Sequence, residues 1–192
     1  MGSSGGATDP SSRGANATPA PAKRREPEAP RAAVALSPEG VALAERLPVA
    51  FASHGIEVDA ALDEVVCMVP ADHLVDLCRQ LKDESAFGFE YLRLITVVDY
   101  VEQDGEFEVV YHLFSLANHH KMMVKTRIPD RRASVPSVTG VWRGADWYER
   151  EMHDLFGVVF EGHPDLSPLV LPDDFEGFPG RKSYPLHDYE EW

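Results

Sequence analysis

Apolar positions divide this chain into segments of different period. Ser37-Pro38-Glu39 reads as a helix start: a serine cap, proline in the first turn and an acid beside it. Val41, Leu43, Ala44 and Leu47 carry that helix until Pro48, which is expected to end it. Glu64 to Val69 is a short apolar run closed by Pro70 and predicts a buried strand. Leu74, Leu77, Cys78 and Leu81 recur at the spacing of one helix face.

From Tyr91 the period shortens. Tyr91 to Tyr100 is rich in Leu, Ile, Thr and Val, and Asp104-Gly105 is a turn signal. Glu106 to Leu116 has apolar residues on both faces, as a central strand requires. Lys121 to Ile128 alternates, with Met122, Val124, Thr126 and Ile128 on one side and Lys121, Lys125 and Arg127 on the other. Three strands joined by short turns predict an antiparallel meander, and the helices around it give an α+β, two-layer domain. Val135 to Trp142 is read as a short helix. Ala145 to Phe156 is read as a longer one, stopped by Gly157.

Both ends lose the pattern. No Leu, Ile, Val or aromatic residue precedes Val34, so residues 1–33 lack the apolar surface needed to offset an ordering cost of ~1–2 kcal/mol per residue and are expected to be a dispensable disordered tail. After Gly157, prolines at 164, 168, 172, 179 and 185 interrupt any helix, while aromatic and Leu residues persist. The organisation is therefore a tail over 1–33, an α+β domain over 34–157 and an extended Pro-rich docking arm over 158–192. The arm is expected to order on a partner, and a chain cut after Gly157 to fold without it.

Charge narrows the function. The 192 residues carry 18 Lys and Arg against 32 Asp and Glu, a net charge of −14, which argues against nucleic acid. Residues 151–180 hold seven acids and no Lys or Arg, a composition that is either solvated or docks on a basic partner. Cys67 and Cys78 are the two cysteines, so no thiolate cluster site exists within the sequence; both fall in apolar patterns and read as reduced core residues. No apolar run approaches the ~20 residues of a membrane span. There is no P-loop, GxGxxG or Ser-His-Asp arrangement.

Eight histidines raise a metal question. His119-His120 falls in a turn after Asn118. Glu149, Arg150, Glu151, His153 and Asp154 crowd one helix, where the spacing alone describes a solvated ion-pair face; metal or acid–base chemistry and interface recognition are the alternatives. His163-Pro164-Asp165 is a turn with an acid, and Arg181-Lys182 ends the stretch without basic residues.

In order, however, these pieces form a signature. Trp147 to Val158 (WYEREMHDLFGV), Phe160 to Leu166 (FEGHPDL), Leu171 to Gly177 (LPDDFEG), and Arg181-Lys182 with Tyr184-Pro185-Leu186 closely resemble the thirty-kilodalton subunit family of respiratory complex I, known in bacteria as the C subunit of NADH:quinone oxidoreductase. Val98-Asp99-Tyr100, Val109 to Leu113 and Val135 to Thr139 are similar to that family too. The likeness spans roughly residues 35–188. Departures are Ser167 where Arg is usual, Gly180 for Leu, Ser183 for Asp and His153 for an aromatic.

The resemblance implies a non-catalytic scaffold in the peripheral arm of a proton-translocating complex, on the cytoplasmic side of a bacterial plasma membrane. It implies no cofactor in this chain; NAD, FMN, iron–sulfur clusters and quinone would be bound by partner subunits. The partners implied are the quinone-site subunit of the 49-kDa type and the terminal-cluster subunit. Glu149, Arg150, Glu151, Asp154, His163, Pro164, Asp165, Arg181, Lys182 and Pro185 match the motif and would serve structure and interface. Two rival readings stand beside it. One is the homologous subunit of a membrane-bound hydrogenase, formate hydrogenlyase, or F420H2- or ferredoxin-oxidising complex. The other is a metal-dependent hydrolase using His112, His153 and nearby acids.

Overall fold

A computed structural model describes residues 1–2 and 35–185. The expectations for the tail over 1–33 and for Leu186 fall, apart from the first two residues, outside that range.

Helix α1 (Pro38–Ala50) starts as the sequence dictates, with the Gly40 N–H donating to Ser37 Oγ at 3.2 Å. It does not stop at Pro48. The proline costs one bond, the one to the Ala44 carbonyl, but buried Leu43, Leu47 and Phe51, spaced four apart, hold the last turn on the core. Strand β1 (Glu57–Ala61), absent from the sequence reading, pairs antiparallel with β2 (Glu64–Met68). It is largely exposed at a sheet edge, so it carries no apolar alternation to betray it.

Helix α2 (Leu74–Asp83) buries Leu74, Leu77, Cys78 and Leu81 on the predicted face. β3 (Tyr91–Asp99), a short α3 (Val101–Asp104), β4 (Glu106–Ser115) and β5 (His120–Pro129) form the antiparallel meander. Gly105, at φ 75°, makes the turn into β4. The sheet order is β1-β2-β5-β4-β3, so β4 is an interior strand as its two-sided apolar pattern requires. β2 runs parallel to β5, which makes the sheet mixed although mostly antiparallel. Helices cover one face, where Val65, Cys67, Val109, Tyr111, Leu113 and Val124 are fully buried.

Residues 135–142 are not a helix. β6 (Ser134–Pro136) pairs in parallel with β7 (Val159–Glu161), and tight turns follow it. Pairing with β7 holds Ser134–Pro136 extended, the Ser137 N–H continues it by donating to the Glu161 carbonyl at 2.8 Å, and the Val138 N–H donates to Glu149. Val135, Val138, Val141 and Trp142 are buried all the same, so their apolar spacing is real but serves a strand and a turn. Helix α4 (Ala145–Phe156) ends at Gly157 as predicted, with φ 72°. Two side chains fix α4 and its entry to the β3 edge: Trp142 Nε1 donates to the Phe89 carbonyl at 3.0 Å, and Tyr148 Oη to the Arg93 carbonyl at 2.8 Å, beside the β-bulge between Leu92 and Leu94.

Both cysteines are free and buried. Burial pushes the Cys67 thiol up to about 12 and raises Cys78 as well, so neither is a thiolate at neutral pH.

Candidate functional site

The charges concentrated on α4 are not a solvated face. Glu149 is fully buried and Asp154 nearly so, at 8% exposure. The segment after Gly157 supplies partners for Arg150 and Asp154, and the end of α4 and the turn after β5 supply them for Arg181.

Asp154 Oδ2 accepts the backbone N–H groups of Leu169, Val170 and Leu171 at 2.8, 2.8 and 3.3 Å. Burial raises this carboxyl, but the N–H groups of Val170, Leu169 and Leu171 outweigh it and hold it below its ordinary value. One helical turn earlier, the Arg150 guanidinium donates to the Ser167 carbonyl at 2.9 Å, to Ser167 Oγ at 3.2 Å and to the Pro168 carbonyl at 3.1 Å. Two successive carbonyls thus meet one guanidinium, as its planar fork of donors allows. Ser167, the departure from the usual Arg, is thereby a ligand of Arg150.

Arg181 closes the arm. Its Nε donates to the Phe156 carbonyl at 2.7 Å, one of the orphan carbonyls at the end of α4, and its Nη1 donates to Asp130 at 3.0 Å. The guanidinium lies 4.9 Å from the Phe107 ring centre and 4.8 Å from that of Phe178. The Lys182 N–H donates to Asp99 Oδ2 at 2.9 Å, while Asp99 Oδ1 accepts from Val101 N–H. Gly180 N–H reaches the Leu155 carbonyl at 2.9 Å. A Cβ at 180 would meet that same oxygen at 2.9 Å and Phe156 Cζ at 2.8 Å, so the usual Leu does not fit this backbone. Gly180→Ala should therefore overpack the joint and lower the full chain's Tm by roughly 4–8 °C in a thermal melt, a loss of about 2 kcal/mol.

A second group lies near the start of α4. Glu149 Oε1 accepts from the Val138 N–H at 2.7 Å and Oε2 from Ser137 Oγ at 2.7 Å. The His163 side chain is fully buried, its Nε2 3.2 Å from Asp146 Oδ1 and 3.9 Å from Glu149 Oε2. Asp165 N–H donates to His163 Nδ1 at 3.0 Å, and Asp165 Oδ1 accepts from Ser167 N–H at 3.0 Å. Burial pushes Glu149 up to about 7 against the opposing bonds from Ser137 and Val138, and Asp146 pushes in the same direction as burial. Glu151 is half-buried on the same helix, and Pro164 and Pro185 are exposed.

The histidines of the hydrolase reading do not share a site. His153 Nδ1 is hydrogen-bonded to the Val158 carbonyl at 2.9 Å, whereas His112 is on β4, 3.8 Å from Glu64 on β2. Burial lowers His112. His119 is an exposed turn residue at φ 53°, but His120 is buried at the start of β5, bonded to the Phe87 carbonyl. Among the described residues, no three His, Cys, Asp or Glu side chains converge into a metal-holding set.

Asp99, Asp130, Ser137 and Asp146 belong to the constellation although the sequence did not nominate them as site residues. Their partners lie up to 83 residues away, and no local spacing encodes such pairs. What the arm leaves exposed is acidic and aromatic, with Asp173, Asp174, Glu176 and Phe175 open to solvent, while Phe178 is partly covered by Gly157 and Arg181. Trp147 on α4 is 63% exposed.

The model of a family described as respiratory-chain NADH dehydrogenase, 30 Kd subunit, matches residues 67–190. A C-type subunit of NADH-quinone oxidoreductase from Rhizobium etli (strain CIAT 652) is 45% identical over 139 residues, 72% of this chain and 70% of the relative. The C-type subunit of the same oxidoreductase from Roseiflexus castenholzii (strain DSM 13941 / HLO8) is 44% identical over 118 residues, 62% of this chain and 68% of the relative. Among solved structures, a trypsin-resistant fragment of Nqo5 superposes with a TM-score of 0.57 at 33% identity, covering 65% of this chain and 98% of the fragment. A chain of an archaeal membrane-bound sulfane sulfur reductase superposes with a TM-score of 0.67 at 32% identity, covering 77% of this chain and 86% of that one.

Proposed function

The chain belongs to the family of the respiratory-chain NADH dehydrogenase 30 Kd subunit, and from that premise we propose that it is a non-catalytic scaffold in the peripheral arm of a proton-translocating NADH:quinone oxidoreductase. Its relatives are named as subunits of NADH-quinone oxidoreductase, so its place is in that oxidoreductase complex. The observation that carries the scaffold role is where the motif charges go. Arg150, Asp154 and Arg181 hold the chain's own arm against α4 and the sheet. Groups committed in this way position a surface; they do not face a substrate.

That surface is the outer side of the arm and its neighbours on α4. Its acids suit a partner with basic groups, and Phe175 and Trp147 supply apolar anchors. The partners on this reading are the 49-kDa-type quinone-site subunit and the terminal-cluster subunit, which, with the rest of the complex, bind NAD, FMN, iron–sulfur clusters and quinone. No helix among the described residues is long and apolar enough to cross a membrane. Membrane association would come through the complex, on the cytoplasmic side of a bacterial plasma membrane. A second reading rests on the sulfane sulfur reductase likeness: the same scaffold serving a respiratory membrane complex of different chemistry.

The purified full chain should be colourless and hold no stoichiometric iron, zinc or flavin, as read by its ultraviolet–visible spectrum and elemental analysis. A stoichiometric signal from any of these would overturn the scaffold role.

A further inference from the structure

The cluster near the start of α4 does more than the scaffold role uses. Glu149 is fully buried, yet no Lys or Arg among the described residues lies within ion-pair distance of it. The groups facing it are Asp146 on its own helix, His163 on the loop after β7, and the hydroxyl of Ser137, which is itself 2.8 Å from Thr139 Oγ1. Tyr111 on β4 and Cys78 on α2 feel its charge from below; burial raises both, so both stay neutral.

The tautomer of His163 follows from geometry. Nδ1 accepts the Asp165 N–H and is therefore bare, so the ring proton is on Nε2, directed at Asp146. A further proton entering the cluster cannot sit on Nδ1 without breaking that bond. Two carboxyls remain: Asp146 is partly exposed and already accepts the Nε2 proton, so the proton goes to the fully buried Glu149, whose protonated carboxyl would donate to Ser137 Oγ, with Ser137 donating in turn to Thr139.

We propose that Asp146, Glu149 and His163 form a buried proton-binding latch between α4 and the loop after β7: with a proton on Glu149 the loop is held shut over the cluster, and with Glu149 ionised it opens to admit water. The sign follows from linkage. An ionised Glu149 in the closed state is a buried anion beside Asp146, and opening hydrates it. The closed state therefore binds the proton more tightly than the open one, and rising pH favours opening. Opening should grow up to tenfold per pH unit between the ordinary carboxylate range and about 7, then level off. His163 and Asp165 carry the change toward Ser167 and hence to Arg150, which holds the arm.

The test is hydrogen exchange of the Asp165 amide in the full chain, corrected for the intrinsic rate, together with the carboxyl carbon resonance of Glu149 across the same pH range. The latch predicts protection that falls between about pH 5 and 7 and a carboxyl midpoint within about one unit of 7. It also predicts flat protection in Glu149→Gln. Protection independent of pH in the wild-type chain, or a Glu149 midpoint in the ordinary carboxylate range, would overturn it. So would a proton that enters at His163 Nδ1, read from the ring nitrogen shifts. The two wild-type measurements decide the matter even if Glu149→Gln fails to fold.

Discussion

Ending the chain at Gly157 should cost this domain most of its stability. Reading the sequence predicts the opposite, because the Pro-rich segment has no period of its own. In the structure, Val158 and Phe160 are buried to 0% and 1% exposure within the same core as the sheet, and β7 is the partner of β6. Removing a buried Phe side chain costs about 3–5 kcal/mol and a buried Val adds to that. Asp154 would lose its three N–H donors, replaced only in part by water, and Phe107 would lose the guanidinium packed on it. Against a total of about 5–15 kcal/mol, losses of this size leave a marginal fold. Urea unfolding followed by near-ultraviolet circular dichroism should show little or no cooperative transition for the shortened chain. A chain ending at Gly162, which keeps Val158 and Phe160, should recover part of it. A cooperative transition in the Gly157 chain equal to that of the full chain would mean that the arm contributes nothing to the core.

Asp154→Ala should be the most damaging single substitution among the charged motif residues. It strands three N–H groups at the turn where the arm crosses α4. Hydrogen bonds to a charged acceptor contribute about 1.5–3 kcal/mol each; water replaces part of that at a half-buried loop, so the expected loss is about 3 kcal/mol. Asp154→Asn, which keeps one oxygen acceptor, should lose less. The pH dependence has a defined sign. A carboxyl held below its ordinary value adds stability that is fully present above 3.8 and fades as pH falls through the folded value. The difference in Tm between wild type and Asp154→Ala should therefore shrink only in strong acid. A gap that stays constant into that range would assign the effect to packing rather than to the charge.

Much of the frame was legible because it is local. The four-residue rhythm of Leu74 to Leu81, the strand alternation from Lys121 to Ile128 and the stop at Gly157 each follow from a period or a cap that neighbouring residues define. What was not legible is non-local. β1 is an exposed edge strand, held by its pairing with β2 and not by its own pattern. The parallel pairing of β2 with β5 joins segments more than fifty residues apart, and so nothing in either one specifies it. The 135–142 segment has helical apolar spacing, but its first residues are taken by the pairing of β6 with β7, more than twenty residues further on. The motif residues were found by resemblance, yet their work was misread by spacing. Glu149 and Asp154 look like a solvated pair until the arm is laid across them.

The most direct measurement of the central proposal is affinity purification of the tagged full chain from membranes of its own organism, with the co-purifying subunits identified and quinone reduction by NADH assayed. The scaffold account predicts stoichiometric recovery with the 49-kDa-type and terminal-cluster subunits in a preparation that oxidises NADH with quinone, and loss of both from the Asp154→Ala chain. Recovery of the chain alone, or with the catalytic subunits of a hydrogenase or a sulfur reductase and no NADH:quinone activity, would contradict it.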